Sequence, residues 1–188
     1  MFLGLTFRRW LCHSLFLAST LPVFGADGDW FARIWQSDDG LPDNNVTGVA
    51  QTADGYLWVA TMGGLARFDG VQLREFSPVQ LSNMLDRVVR TMILDDRGQL
   101  WMTMDHGPVV CVGPKTARVF TGSDLPDLYP TAMVEDREGA IWIAYVQGDL
   151  VRIKDEAVAR LGASQGLPSG GPVWLATDAE GELWFERR

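Results

Sequence analysis

Cysteine is almost missing from this sequence, and so are the features that carry redox, metal or nucleic-acid chemistry. The chain has 188 residues but only 2 Cys (Cys12 and Cys111) and 2 His (His13 and His106). Two cysteines cannot form the disulfide framework of a small secreted scaffold, and a lone His is a poor metal signal. No cofactor motif is present, so none is expected. Basic residues are scarce as well: 16 Lys+Arg face 24 Asp+Glu, for a net charge of −8. A chain of that sign repels a phosphate backbone, which excludes nucleic acid as an expected partner. Helical repeats would need apolar residues at 3.6 spacing, and the turn chemistry of this sequence does not suit them. What is abundant is glycine (20) and tryptophan (8). Many glycines call for many tight turns, and many tryptophans for a recurring large packing residue, so short strands are favoured over long helices.

The N-terminus is a separate object. Arg8 and Arg9 precede an apolar run from Trp10 to Phe24, shorter than the ~20 residues of a spanning helix. Val23-Phe24-Gly25 then places small residues at the −3 and −1 positions before Ala26. That is the layout of a secretory signal peptide, here a helix over residues 1–25 with cleavage after Gly25 or Ala26. Its removal leaves 14 basic and 24 acidic residues, a net charge of −10, and one cysteine, Cys111. An exported chain without a disulfide depends on core burial and sheet pairing.

Four segments align on a tryptophan: Thr52-Ala-Asp-Gly-Tyr-Leu-Trp58, Asp95-Asp-Arg-Gly-Gln-Leu-Trp101, Asp136-Arg-Glu-Gly-Ala-Ile-Trp142 and Asp178-Ala-Glu-Gly-Glu-Leu-Trp184. The Trp-to-Trp steps are 43, 41 and 42 residues. In each segment the first residue opens a type I turn and the glycine (Gly55, Gly98, Gly139, Gly181) takes the left-handed conformation of a three-residue hairpin loop. Apolar pairs flank the turn. A second and a third turn follow at Gly63-Gly64, Gly107-Pro108 and Gly148-Asp149, then at Asp69-Gly70, Gly113-Pro114 and Lys154-Asp155. Four antiparallel strands per ~40–45 residues is the unit of a propeller blade. Gly40-Leu-Pro42, Asp124-Leu-Pro126 and Gly166-Leu-Pro168 recur between blades, where proline ends one strand and starts the crossing.

The fold class expected is therefore all-β: a partial propeller of three complete blades and a half blade, preceded by the signal-peptide helix. The divisions are 1–25 signal peptide, 26–45 an N-terminal strand and linker, 46–80 blade one, 81–121 blade two, 122–162 blade three and 163–188 a partial fourth blade. Trp30-Phe-Ala-Arg-Ile-Trp35 reads as the outer strand of a blade whose other three strands lie elsewhere. Propellers close with roughly 4–8 blades, so the ring is expected to be incomplete.

At these residues the sequence resembles the two-component regulator propeller repeat family, with its Gly-Leu-Pro connection, its Asp-x-x-Gly-x-Leu/Ile-Trp hairpin and the following Gly-Gly/Asp-Leu-x-Arg-Phe/Ile strand. Blade two departs from the pattern: Cys111 stands where Arg67 and Arg152 stand in its neighbours. The resemblance implies a periplasmic sensor domain for a small extracellular ligand such as a carbohydrate fragment. It also implies missing C-terminal blades and an output module, a histidine kinase or diguanylate cyclase, elsewhere in the same protein.

No catalytic constellation is visible. Trp58, Trp101, Trp142 and Trp184 hold equivalent places in every blade, which points to packing between blades over a sugar platform. Asp95, Asp136 and Asp178 are turn formers first, and Cys111 is expected to be a partly buried strand residue. A binding site belongs on the face where blade connections meet the loops between second and third strands. Asn44, Asn45, Arg87, Asp105, His106, Tyr129, Tyr145 and Gln147 are the candidates there, with Asp105 placed to orient His106. An exported propeller lyase or glycoside hydrolase, and a protein-binding scaffold, are the alternatives to sensing. Size exclusion and circular dichroism on residues 26–188 should show association and a broad melt, because an open ring exposes strand edges and apolar blade faces. A sharp monomeric peak with cooperative melting would contradict the incomplete ring.

Overall fold

Each blade turns from its first to its second strand through the same short loop, and the loop is built by one side chain. The Asp95 Oδ1 oxygen accepts the backbone N–H of Arg97 at 3.0 Å and of Gln99 at 2.6 Å. Asp136 does the same for Glu138 and Ala140, both at 2.9 Å, and Asp178 for Glu180 and Glu182 at 3.1 and 2.8 Å. These bonds satisfy loop donors that the strand ladder cannot reach. The glycine that closes the loop has φ of +89°, +73°, +74° and +75° at Gly55, Gly98, Gly139 and Gly181, a region that residues with a Cβ avoid.

The second carboxylate oxygen is equally committed. Oδ2 of Asp95, Asp136 and Asp178 accepts the indole Nε1–H of Trp101, Trp142 and Trp184 at 2.8, 2.7 and 2.7 Å. In blade one, Thr52 Oγ1 takes the Asp role and accepts Trp58 Nε1–H at 3.0 Å, while donating to Asp54 Oδ1. The turn and the packing residue six positions later are therefore one unit.

The computed structural model describes residues 32–76, 87–114, 116–167, 170 and 173–187. The signal-peptide region 1–25, Trp30 and Pro168 lie outside them. The strands all fall in the compact unit Ile34–Arg188. Blade one holds β1 (Val46–Gln51), β2 (Leu57–Thr61), β3 (Gly64–Phe68) and β4 (Leu73–Phe76). Blade two holds β5 (Val89–Leu94), β6 (Leu100–Met104), β7 (Val109–Val112) and β8 (Ala117–Phe120). Blade three holds β9 (Pro130–Glu135), β10 (Ile141–Tyr145), β11 (Leu150–Lys154) and β12 (Ala157–Leu161), and β13 (Val173–Thr177) with β14 (Leu183–Arg187) makes a half blade. Every sheet pairs its strands in chain order and antiparallel. The expected all-β partial propeller, three blades and a half, is what the chain forms. Residues 34–36 join no ladder among the described residues; Trp35 instead packs edge-on against Phe68, with ring centroids 4.9 Å apart.

The core lies between blades. Trp58 and Leu65 of blade one pack with Val89, Leu100 and Met102 of blade two. Trp101, Val109 and Phe120 of blade two pack with Ile141, Ile143 and Val151 of blade three, and Trp142 of blade three meets Leu175 of the half blade. Two of the tryptophans also meet the end of their own outer strand: Trp58 and Phe76 are edge-to-face with centroids 4.7 Å apart, and Trp101 and Phe120 stack at 5.4 Å. Trp184 is 64% exposed, since no later blade covers it among the described residues. The connection Leu side chains are buried too: Leu125 in the seam between blades two and three, and Leu41 on blade one against Val59, Ala66 and Leu73. Gly40, at φ +105°, would place a Cβ 2.7 Å from the Leu73 carbonyl oxygen.

Cys111 differs from the expectation of a partly buried residue. It is fully buried in the seam between blades two and three. Where Arg67 and Arg152 lie 5.8 Å from the rings of Trp58 and Trp142, blade two instead sends Arg118 from its outer strand. Arg118 Nη2 reaches Cys111 Sγ at 3.5 Å, and its Nη1 reaches Glu156 of blade three at 3.0 Å. Burial pushes the thiol up from its ordinary value despite that guanidinium, so Cys111 is a packing residue and not a nucleophile.

Burial raises the Asp136 carboxyl, but the bonds from Trp142, Ala140 and Glu138 outweigh it and hold the group below 3.8; Asp178 is lowered first by the Trp184 bond. A folded-state value below the unfolded one means that the unfolded chain binds the proton first as pH falls. The stability these groups contribute is complete above the unfolded value and is lost as pH drops through the folded one. Urea unfolding of the complete gene product should therefore show a steep loss of stability below about pH 4. Asp95→Ala should cost roughly 2–3 kcal/mol at neutral pH, with two half-buried loop donors and the buried Trp101 N–H left unsatisfied. Asp95→Asn should not restore it, because whichever way the amide faces, its NH2 meets donors.

Candidate ligand-binding face

A four-stranded antiparallel blade has two ends. One carries the first and third hairpins, including the Asp–Trp loops. The other carries the loop between the second and third strands together with the connection to the next blade. At this second end the innermost strand of each of the three complete blades is bulged. The register shifts between Val46 and Gly48 in β1, between Val89 and Thr91 in β5, and at the Pro130–Ala132 step of β9. The extra residues are Thr47, Arg90 and Thr131. A bulge turns its side chain out of the regular alternation and is common beside functional sites.

A backbone bond then ties the end of the second strand to the residue two before each bulge. Met62 N–H donates to Asn45 O at 3.0 Å, Asp105 N–H to Val88 O at 3.0 Å and Val146 N–H to Tyr129 O at 2.9 Å. The backbone is thus the same three times, while the side chains it presents are not. Blade one offers Asn45, Thr47, Met62 and Gly63; blade two offers Val88, Arg90, Asp105 and His106; blade three offers Tyr129, Thr131, Val146 and Gln147.

The charged and aromatic members meet at the seam between blades two and three. Arg90 donates its Nε–H to Asp105 Oδ1, and its guanidinium carbon lies 5.1 Å from the centre of the Tyr129 ring. The His106 and Tyr129 rings are tilted against each other with centroids 4.6 Å apart. His106 Nδ1 is 3.2 Å from Asp127 Oδ1, and Nε2 is 3.9 Å from Asp105 Oδ2. The carboxylate nearest the imidazole is therefore that of Asp127, not Asp105, which instead accepts from Arg90. Tyr129 and His106 are about half exposed, and Asp127 is almost wholly so.

Of the residues singled out from sequence, the structure brings Asp105, His106 and Tyr129 together. Gln147 lies exposed in the turn after β10. Asn44 and Asn45 are occupied locally: Asn44 Oδ1 accepts Ser37 N–H at 2.8 Å, and Asn45 donates to Asp43 Oδ1 at 2.9 Å through its amide. Arg87 pairs with Glu75 of blade one at 3.2 Å, out in solvent. Tyr145 is buried in the seam with Trp101, Leu125 and Ile153, and burial raises its hydroxyl far above the ordinary value. It is a core residue. Arg90 and Asp127 were not singled out. Aligning the inner strands on the tryptophan would have found Arg90, a cation where the flanking blades have threonine.

Among the described residues no group of three His, Cys, Asp or Glu side chains is arranged to hold a metal ion, and no helix is long and apolar enough to cross a membrane.

Residues 40–63, from the Gly-Leu-Pro connection to the turn after β2, match the model of the two component regulator propeller. The chain carries a repeat of that family, as the motifs indicate. No curated protein matches the chain. Among solved structures, it is similar to the extracellular domain of a hybrid two component system from B. thetaiotaomicron, at 22% identity and a TM-score of 0.67 over 82% of this chain and 22% of that one. It is also similar to virginiamycin B lyase from Staphylococcus aureus, at 19% identity and a TM-score of 0.62 over 76% of this chain and 49% of that one. A third is PorZ, a surface component of the type-IX secretion system of Porphyromonas gingivalis, at 18% identity and a TM-score of 0.57 over 76% and 23%. These likenesses share the propeller fold. The chain spans between about a fifth and a half of the length of these structures.

Proposed function

We propose that this chain is part of an exported, ligand-sensing propeller, the input domain of a bacterial signal-transduction receptor. In this reading residues 1–25 direct export and are removed. The ligand is a small extracellular molecule, and further blades and an output module of the same protein, a histidine kinase or a diguanylate cyclase, receive the signal. One observation carries the reading. The three blades repeat one backbone, yet their two ends differ in chemistry. At the hairpin end the same Asp or Thr, Gly and Trp recur, which is what structure requires. At the other end equivalent positions hold Gly63, His106 and Gln147, or Thr47, Arg90 and Thr131. In a repeat protein, positions released from the structural pattern on one face are where binding is built. The two component regulator propeller repeat and the likeness to extracellular domains of two component systems support the same assignment.

A second reading, an exported propeller lyase, is favoured by the virginiamycin B lyase likeness and by a His flanked by carboxylates on that face. The two readings differ in what His106 does. In the complete gene product, His106→Ala should raise the ligand concentration needed for half-maximal kinase or cyclase output at least tenfold, with no product formed from the ligand. Turnover that His106→Ala abolishes, with no output activity in the same preparation, would overturn sensing in favour of the lyase.

A further inference from the structure

The side chains on this face are specific enough to name a ligand class. We infer that the seam between blades two and three binds a zwitterion, a small molecule bearing both a carboxylate and an ammonium group, between Arg90 and Asp127. The inference rests on the reading of this face as the ligand-binding one.

Arg90 is held in place but not used up. Its Nε–H goes to Asp105 and its plane lies over Tyr129, while neither Nη group donates a hydrogen bond among the described residues. A fixed guanidinium with its outer fork unspent is the geometry that takes a carboxylate with two parallel bonds. Its side chain is 35% exposed, so the fork can be reached from solvent without the charge being fully hydrated. Asp127 is the complement. One oxygen faces His106 Nδ1, the other has no partner among the described residues, and the side chain is 86% exposed. Between the two lie the Tyr129 and His106 rings, a paired aromatic surface for the body of the ligand.

Charge decides between ligand classes. With Arg90 held by Asp105 and Asp127 facing His106 through one oxygen, the seam sets an unspent cationic fork against a largely exposed carboxylate. An anion would gain the Arg90 fork but meet Asp127 and the net charge of −8 of the chain. A simple cation would gain Asp127 and meet Arg90. A neutral sugar would leave both charged groups to compete with water for its hydroxyls. A zwitterion satisfies both ends and leaves the net charge of the seam unchanged, which is where electrostatic complementarity yields specificity.

The test uses the complete gene product and probes of known charge: L-alanine and L-tyrosine as zwitterions, their methyl esters without the carboxylate, their N-acetyl forms without the ammonium, and maltose as a neutral sugar. Isothermal titration should show binding of a zwitterion, and each blocked form should bind at least tenfold more weakly. Asp127→Asn, an exposed substitution that leaves the fold alone, should remove the preference for the amino acid over its N-acetyl form. Arg90→Gln should remove the preference over the methyl ester. Binding of maltose that is weakened by His106→Ala but not by Asp127→Asn would overturn the zwitterion and leave the face as the ligand site. Binding of any probe that is indifferent to His106→Ala, Tyr129→Ala and Asp127→Asn alike would overturn the face itself. Failure of every zwitterion to bind overturns the inference.

Discussion

The bond between a turn carboxylate and an indole N–H six residues later organises this protein. One aspartate satisfies two loop donors with its first oxygen and the tryptophan with its second. That arrangement fixes the hairpin and aims the largest apolar side chain of the blade into the seam with the next. Propeller blades contact only their neighbours, so the stability of the array depends on what each blade presents at its faces. A tryptophan with an unpartnered N–H in such a seam would cost about 1–3 kcal/mol for the buried donor alone. The aspartate removes that penalty and shapes the turn at once.

The recurrence of that unit is why so much of the fold was legible in the sequence. Gly98 and Gly139 could be assigned a left-handed turn, and Trp101 and Trp142 a packing position between blades, because local turn chemistry and spacing are properties of the chain. The carboxylate-to-indole bond was not legible, because an Asp at the start of a type I turn is already explained by the turn. Cys111 shows the same limit from the other side. Its substitution for Arg67 and Arg152 was visible, but its full burial depends on Arg118 arriving from another strand and on Glu156 from the next blade.

The binding face was legible only in outline. The choice of loops follows from antiparallel connectivity, and Asp105, His106 and Tyr129 fall together on it. The exact partners do not follow, because they depend on three bulges whose position no residue type announces. Thr47 and Thr131 hold the same place as Arg90 but share none of its chemistry. The bulge turns Arg90 from a strand residue into one that reaches Asp105 and Tyr129, and Asp127 arrives from a connection whose path the sequence does not specify.

The two ends of each blade thus divide the work. The hairpin end is repeated because every seam needs the same packing; the opposite end varies because the seams, once packed, leave it free to vary. The central claim is that the turn carboxylate holds the tryptophan, and indole N–H exchange measures it most directly. In a protein with ¹⁵N-labelled tryptophan, the Nε1–H of Trp101, bonded to a buried carboxylate, should exchange more slowly than that of Trp184, bonded but 64% exposed. Asp95→Asn should speed exchange at Trp101 at least tenfold while leaving Trp142 unchanged. Equal exchange at Trp101 and Trp184, or no response at Trp101 to Asp95→Asn, would contradict the account.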